Sequence, residues 1–413
     1  MTTTGTDSGR LRLGTRGSRL ALTQSGQVAE ALMAAGGGSG GLDIDLVTVR
    51  TDGDGDRTPL RQLGGVGVFA ARLRHALLDG EVDLVVHSFK DLPTQPVEGL
   101  EVICVPPRED PRDALCARDG LTLAALPEGS RVGTGSPRRA AQLLAARPDL
   151  EVVDLRGNVP TRLARVRGLE VVGVGTDEPV APSRADAAGD LDAVVLALSG
   201  LRRLGLEHCA SEVLDLETML PAPAQGALAV EARAGEDSAE LARAVAALDD
   251  EPTRLAVTAE RALMARLGAG CAAPVGAWAR LRGGSREPWG EHAEHGTGGK
   301  HGTGWNEGFR GDDAAATRAR QGTGATGPRG SAASRRSPRM LVLRAVVTSL
   351  DGGQEVGCEL STELLEASGG PGAPGDTVAV RAAEALGARA AEVLLEDGAD
   401  QIVDLHANKP RRD

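Results

Sequence analysis

Short apolar runs alternate with longer amphipathic stretches through the first half of the chain. The runs at 11–15, 42–49, 83–87 and 102–105 have the length and aliphatic content of buried strands, whereas 19–35 and 69–78 repeat at helical spacing. Leu20, Gln24, Val28, Ala31 and Leu32 mark one face of the first helix. A second set opens at Arg131 with strand, helix, a strand at 151–155, a further helix and a buried strand at 192–198. This βα order predicts an α/β fold with a largely parallel sheet in each set. The charged, proline-interrupted stretch 108–113 (REDPRD) is the expected hinge between the sets. From Met340 the pattern changes to a strand at 341–347, a turn at Asp351-Gly352-Gly353, another strand and a helix over about 377–395, a small α+β unit.

Two stretches break the pattern. Residues 168–189 interrupt a helix-to-strand connection with Gly, Pro, Asp and Ala, and 283–339 are rich in Gly, Arg, Ser and Thr. The second lacks the apolar residues a packed core needs, so disorder is expected there. It contains His292, His295 and His301, but a glycine-rich tract does not fix ligand geometry, and no metal site is expected.

One cysteine stands out against these elements. Asp249 or Asp250 can cap a helix with Pro252 in its first turn, and Leu255, Ala259, Ala262, Leu263 and Leu267 then recur on one face. Gly268 and Gly270 end that helix, so a glycine loop carries Cys271 outward, and Pro274 stiffens the exit. Such a thiol is either a small packing residue or an attachment point.

The 413 residues suffice for two or three domains. Forty-six basic against fifty-eight acidic side chains give a formal charge of -12, which disfavours general binding to nucleic acid or to a membrane surface. Three phenylalanines, three tryptophans and no tyrosine leave no base-stacking platform. The five cysteines include no CxxC pair and read as reduced thiols, and neither an apolar leader nor a membrane-length apolar run is evident. A cytoplasmic protein is expected. No large apolar stripe is visible, so a monomer is expected too.

Any anion this acidic chain binds must therefore meet a local basic pocket. Three strand-to-helix junctions supply one: GTRGSRLAL with Arg16 and Ser18, VGTGSPRRAAQLL with Thr134, Ser136, Arg138 and Arg139, and LRGNVPTRL with Arg156, Asn158 and Arg162. Arginine in the first turn of a helix is mildly unfavourable unless an anion joins it there. Free N–H groups, a hydroxyl and a guanidinium make a carboxylate or phosphate site, and in open α/β sheets ligands sit beyond the carboxyl ends of the strands. Asp91 lies just past the strand DLVVHS, on a turn closed by Pro93, with Lys90 beside it. It is a candidate for proton transfer or a simple turn-capping aspartate. His87 reads as a packed strand-end residue.

Seven motifs in order, GTRGSRLAL, HSFKDLPT, REDPRDAL, GTGSPRR, LRGNVPTRL, LPAPAQGAL and ERALMARLGAGCAAPVGA, resemble the porphobilinogen deaminase (hydroxymethylbilane synthase) family over about residues 10–282 and again from 340. The resemblance implies two α/β domains like those of periplasmic binding proteins around a cleft, plus a small α+β domain. By position these are 10–107 with about 222–247, then 108–221, then 248–413. It implies stepwise condensation of four porphobilinogen molecules into hydroxymethylbilane with loss of ammonia, in tetrapyrrole (haem) biosynthesis. It makes Cys271 the thioether anchor of a dipyrromethane cofactor and Asp91 the catalytic carboxylate, helping to expel ammonia and to steady the cationic azafulvene. Arg16, Arg156, Arg162 and Arg203 match the family's substrate contacts. Lys90, Ser88, Ser18, Thr134, Ser136, Arg138, Arg139 and Gln225 match its cofactor contacts. Val66 in the GGVG loop departs from the lysine of many members, which puts a lid role for that loop in doubt. Two rival readings stand beside this one, a non-catalytic binder of small polycarboxylates and an inactive paralogue. Cys271 and Asp91 discriminate, since a mere binder needs neither.

Overall fold

Three sheets organise the chain. The first runs β1 (Arg10–Thr15), α1 (Arg19–Ala35), β2 (Asp43–Thr48), α2 (Val68–Leu78), β3 (Leu84–Ser88) and β4 (Leu100–Cys104). The chain then crosses to β5 (Asp113–Ala117), β6 (Arg131–Gly133), α3 (Pro137–Ala146), β7 (Glu151–Val153), α4 (Val159–Leu163), β8 (Ala193–Ala197), α5 (Leu198–Arg203) and β9 (Glu212–Val213). It returns as β10 (Leu228–Arg233), followed by α6 (Ala239–Leu248). The third sheet is built from β11 (Val275–Arg282), β12 (Arg339–Thr348) and β13 (Glu355–Leu364), with helices α7 (Glu251–Leu267), α8 (Thr377–Glu396) and α9 (Ala399–Ile402). This computed structural model describes residues 10–36, 42–49, 68–171, 189–235, 238–270, 272–283, 338–364 and 377–405. Cys271, Val66, His292, His295, His301 and most of both predicted insertions lie outside the described residues.

The two large sheets share one topology. The strand orders are β2-β1-β3-β10-β4 and β7-β6-β8-β5-β9. In each, three strands joined by helical crossovers run parallel, as with Leu13 opposite Leu84 and Val132 opposite Ala193. The fourth position is filled by the strand that has just crossed from the other sheet, and it runs antiparallel, Val230 opposite Val86 and Leu115 opposite Val195. The sheets are thus parallel but for one reversed strand apiece. Neither β5 nor β10 stands among the predicted strands, and both carry a carboxylate that interrupts the apolar pattern, Asp113 and Glu231. Each carboxylate is buried against cationic partners, which is how a strand tolerates it.

Alternate residues of the sheets feed opposite faces. Leu13, Leu84 and Val230 pack with Val28 and Leu32 of α1 and Leu241 of α6, while Val82 and Val85 meet Leu73 and Leu77 of α2. In the second sheet Val194 and Leu196 face Leu163 and Leu201, and Leu115 and Val195 face Leu143. On one face of the third sheet Leu341, Leu343 and Val347 meet Leu255 and Leu263 of α7 and Leu394 of α8. There α7 and α8 cross so closely that a Cβ on Gly387 would lie 2.1 Å from the Ala259 carbonyl oxygen.

The two crossing segments lie against each other. Glu109 N–H donates to the Gly226 carbonyl at 3.3 Å, and Arg108 Nε donates to the Gln225 carbonyl at 2.8 Å. Gly226 has φ +89°, and any Cβ there would strike the Glu109 carbonyl oxygen at 2.3 Å, so only glycine fits.

Candidate functional site

The predicted helix caps are present at all three basic junctions. Ser18 Oγ accepts from Ala21 N–H (3.3 Å), Ser136 Oγ from Arg139 N–H (3.5 Å) and Asn158 Oδ1 from Thr161 N–H (2.9 Å). Pro137 and Pro160 stand in the first turns of α3 and α4. Thr134 Oγ1 accepts from Ser136 N–H at 3.2 Å and so shapes the turn into α3. The junctions after β1, β6 and β7 therefore lie at the carboxyl ends of parallel strands, as does the 3-10 turn Phe89–Asp91 after β3. The first junction reaches the second sheet's unit, since Leu20 of α1 packs against the cluster that contains Leu198 and Leu201 of α5.

At the centre is a carboxylate without a place in the predicted site, Asp113. It is fully buried and bound by both arginines of the α3 junction, Oδ2 accepting from Arg138 Nη2 (2.7 Å) and Oδ1 from Arg139 Nη2 (2.7 Å) and Nε (3.0 Å). Gln225 Nε2 donates to the same Oδ1 at 2.8 Å and to the Pro111 carbonyl at 2.7 Å. Burial alone would raise the Asp113 carboxyl, but the two guanidiniums outweigh it and hold it far below the ordinary carboxylate range. Arg138 and Arg139 also donate to the carbonyls of Leu220 (2.6 Å) and Val195 (3.1 Å). Much of their donor capacity is thus committed inside the protein. The clue in the sequence is REDPRDAL, where an aspartate heading an apolar run needs a cation close by.

Gln225 links the two sheets. Its Oε1 accepts from Lys90 Nζ of the first (3.1 Å) and from Arg139 Nη2 of the second (3.4 Å). Burial, reinforced by Arg139 and Arg138 against the pull of Asp91 and Asp113, brings Lys90 down to about 8. Arg162 is lowered to about 10 by burial and by the nearby charges of Arg139 and Arg156, with Asp154 and Asp91 opposing. Asp91, itself exposed, is therefore close enough to feel both Lys90 and Arg162. Arg203 is also lowered to about 10 by burial, and its Nη2 donates to the Gly226 carbonyl at 2.6 Å, beside Gln225.

Lys90, Arg138, Arg139, Arg156 and Arg162 thus form one group of five cations, set against Asp91, Asp113 and Asp154. Crowding of like charge raises the cost of each, and an arriving polyanion would relieve it. The Nε atoms of Arg138 and Arg156 are buried without a hydrogen-bond partner among the described residues, that of Arg156 standing 3.9 Å from Asp154 Oδ2. Unfilled guanidinium donors of this kind suit a carboxylate-bearing cofactor.

The other predicted positions lie around this group. Ser88 Oγ donates to Gln24 Oε1 of α1 at 3.2 Å. His87 is buried with Nε2 at 3.1 Å from Glu231 Oε2, a packing role as expected. α7 ends at Gly268 in the left-handed region, φ 64°, and Ala273 N–H donates to the Gly270 carbonyl at 3.0 Å just before β11.

Fold and site together define an α/β protein with a strongly cationic site where parallel strands of two linked sheets end, suited to a small polycarboxylate. Two family models match: "Porphobilinogen deaminase, dipyromethane cofactor binding domain" over residues 11–241 and "Porphobilinogen deaminase, C-terminal domain" over 254–286. The porphobilinogen deaminase of Micrococcus luteus is 58% identical over 287 residues, 66% of this chain and 74% of that protein. Those of Cutibacterium acnes and Thermobifida fusca are 46% and 43% identical, over 97% and 95% of this chain and 99% and 95% of theirs. The chain belongs to the porphobilinogen deaminase family.

Proposed function

We propose that this chain joins four porphobilinogen molecules head to tail into hydroxymethylbilane, releasing ammonia at each step, on a dipyrromethane bound through the sulfur of Cys271. The reaction class, a transferase of tetrapyrrole biosynthesis, follows from the family. The observation that carries the assignment of the site is the cationic group around Lys90, Arg139 and Arg162 with the exposed Asp91 at its edge. When bound, the cofactor supplies the free pyrrole α-carbon from which the chain grows.

The residues divide the remaining work. Arg16, Arg156, Arg162 and Arg203 bind the acetate and propionate arms of substrate, because guanidinium grips carboxylate bidentately. Lys90, Ser88, Ser18, Thr134, Ser136, Arg138, Arg139 and Gln225 would contact the cofactor, chiefly through its carboxylates. Asp91 would face the pyrrole N–H groups, where a carboxylate can stabilise the positive charge that develops as ammonia leaves. The three sheets correspond in this reading to three domains, and the protein acts as a cytoplasmic monomer. Among the described residues no helix is long and apolar enough to cross a membrane.

The other four cysteines support the assignment of the anchor to Cys271. Cys104, Cys116 and Cys358 are buried and their thiols are pushed up to about 12 by burial, and Cys209 is raised for the same reason. A protonated, enclosed thiol is a poor nucleophile. The deciding measurement is intact mass: the purified protein should exceed its sequence mass by one dipyrromethane, and Cys271→Ala should abolish the excess. Active protein of unmodified mass would overturn the proposal.

A further inference from the structure

The turn bearing Lys90 and Asp91 is short. Its own backbone closes with one hydrogen bond, from Leu92 N–H to the Phe89 carbonyl at 3.2 Å. A single 3-10 turn of this kind has weak hydrogen-bond geometry and does not by itself fix the direction of a carboxylate. The carbonyls at its end are held by a side chain from a different part of the fold. Arg261 of α7 donates from Nη1 to the carbonyls of Phe89 (3.2 Å) and Leu92 (2.7 Å) and from Nη2 to that of Pro93 (2.8 Å). Its guanidinium carbon also stands 4.5 Å from the centre of the Phe89 ring. One planar fork therefore grips both ends of the turn and the ring that roots it. Phe89 and Leu92 are themselves packed with Val257, one helical turn before Arg261.

α7 is also the helix that leads into the Cys271 loop. We propose that Arg261 is the positioning residue of the Asp91 turn, holding the carboxylate in fixed register with the helix that presents the cofactor's attachment point. The inference rests on the assignment of Asp91 as the catalytic carboxylate. Arg261 touches backbone carbonyls and a ring, so its influence on the reaction passes through the turn. A displacement of about 1 Å at a reacting group can cost on the order of 100-fold in rate, which is the scale of effect this grip would prevent.

Arg261→Lys and Arg261→Met, made in the full chain, test it with porphobilinogen consumption as the assay, intact mass as the measure of cofactor loading and thermal unfolding as the measure of fold. Lysine keeps the charge but is a point donor that cannot span three carbonyls. Both variants should keep the cofactor mass and lose roughly 10- to 100-fold in kcat with KM little changed, the pattern of a misplaced reacting group. In an Asp91→Asn background Arg261→Lys should add no further loss, because the group being positioned is gone. A normal kcat for folded Arg261→Lys, with Asp91→Asn inactive, overturns the positioning role alone, and so does a full additional loss in the double variant. Near-normal turnover by Asp91→Asn removes Asp91 from the chemistry and this role with it. If Arg261→Met does not fold, the lysine variant decides.

Discussion

Glu260 and Arg108 form a forked ion pair in the interior, Nη1 to Oε1 at 2.7 Å and Nη2 to Oε2 at 3.0 Å, with Glu260 fully buried. The same carboxylate accepts from the backbone N–H of Ala224 (2.5 Å) and of Ala279 (2.8 Å). One side chain of α7 thus joins the outgoing crossing segment, the returning one and the third sheet. Glu260→Gln strands a buried guanidinium, and removing one partner of a buried pair typically costs about 3–5 kcal/mol. Denaturant unfolding should show a loss of that size. A change well under 1 kcal/mol would mean that the pair adds little to the union of the three units.

Asp113 predicts how the protein responds to acid. Its carboxyl is held far below the ordinary range in the folded state, so the unfolded state takes up its proton first as pH falls. The stabilisation is complete above the unfolded value near 4 and is lost progressively below it. Asp113→Asn should lower stability at pH 7 and flatten this acid limb, since Arg138 and Arg139 lose their shared counter-ion. Equal slopes below pH 4 in both proteins, measured by thermal unfolding across pH, would refute this role.

The βα rhythm, the capped junctions and the end of α7 at Gly268 were readable because each depends on residues close in sequence. Ser18, Ser136 and Asn158 bond to N–H groups three residues away. Contacts across long separations were not readable. The strands β5 and β10 each follow a crossing between the sheets and insert beside a strand far away in sequence, and the partners of Asp113, Glu231 and Glu260 lie 19 to 157 residues distant. Arginines that local spacing marks as ligand-binding, Arg138 and Arg139, turn out to share their donors with Asp113, which no periodicity announces. Asp91 was legible as a carboxylate past a strand end, whereas the grip of Arg261 upon its turn was not.

Lys90 should set a basic limit on activity. Burial brings it down to about 8, so in the free enzyme it loses its charge above that pH and with it a contact for carboxylates. kcat/KM should therefore decline above pH 8, and Lys90→Arg, which stays charged, should move that decline to higher pH. Stability should run the opposite way. Between about 8 and the ordinary 10.5 the unfolded chain binds a proton that the folded one has released, so stability rises with pH through this window. Lys90→Met should be more stable than the parent at pH 7 and should lack that rise. A parent kcat/KM that stays flat to pH 10 would show that the Lys90 charge is not needed for the reaction.

Thiol counting tests the covalent anchor without recourse to mass. The chain has five cysteines, and Cys104, Cys116, Cys209 and Cys358 are buried with raised thiols. In native protein these four should react slowly with an aromatic disulfide reagent, because attack requires thiolate and access. Unfolding exposes all of them. A thioether at Cys271 does not react, so denatured, cofactor-loaded protein should titrate four thiols rather than five, and Cys271→Ala should also titrate four. Preparing the protein without cofactor should restore the fifth. Five reactive thiols in active, denatured protein would show that no cysteine carries the cofactor, whatever the arginines around it bind.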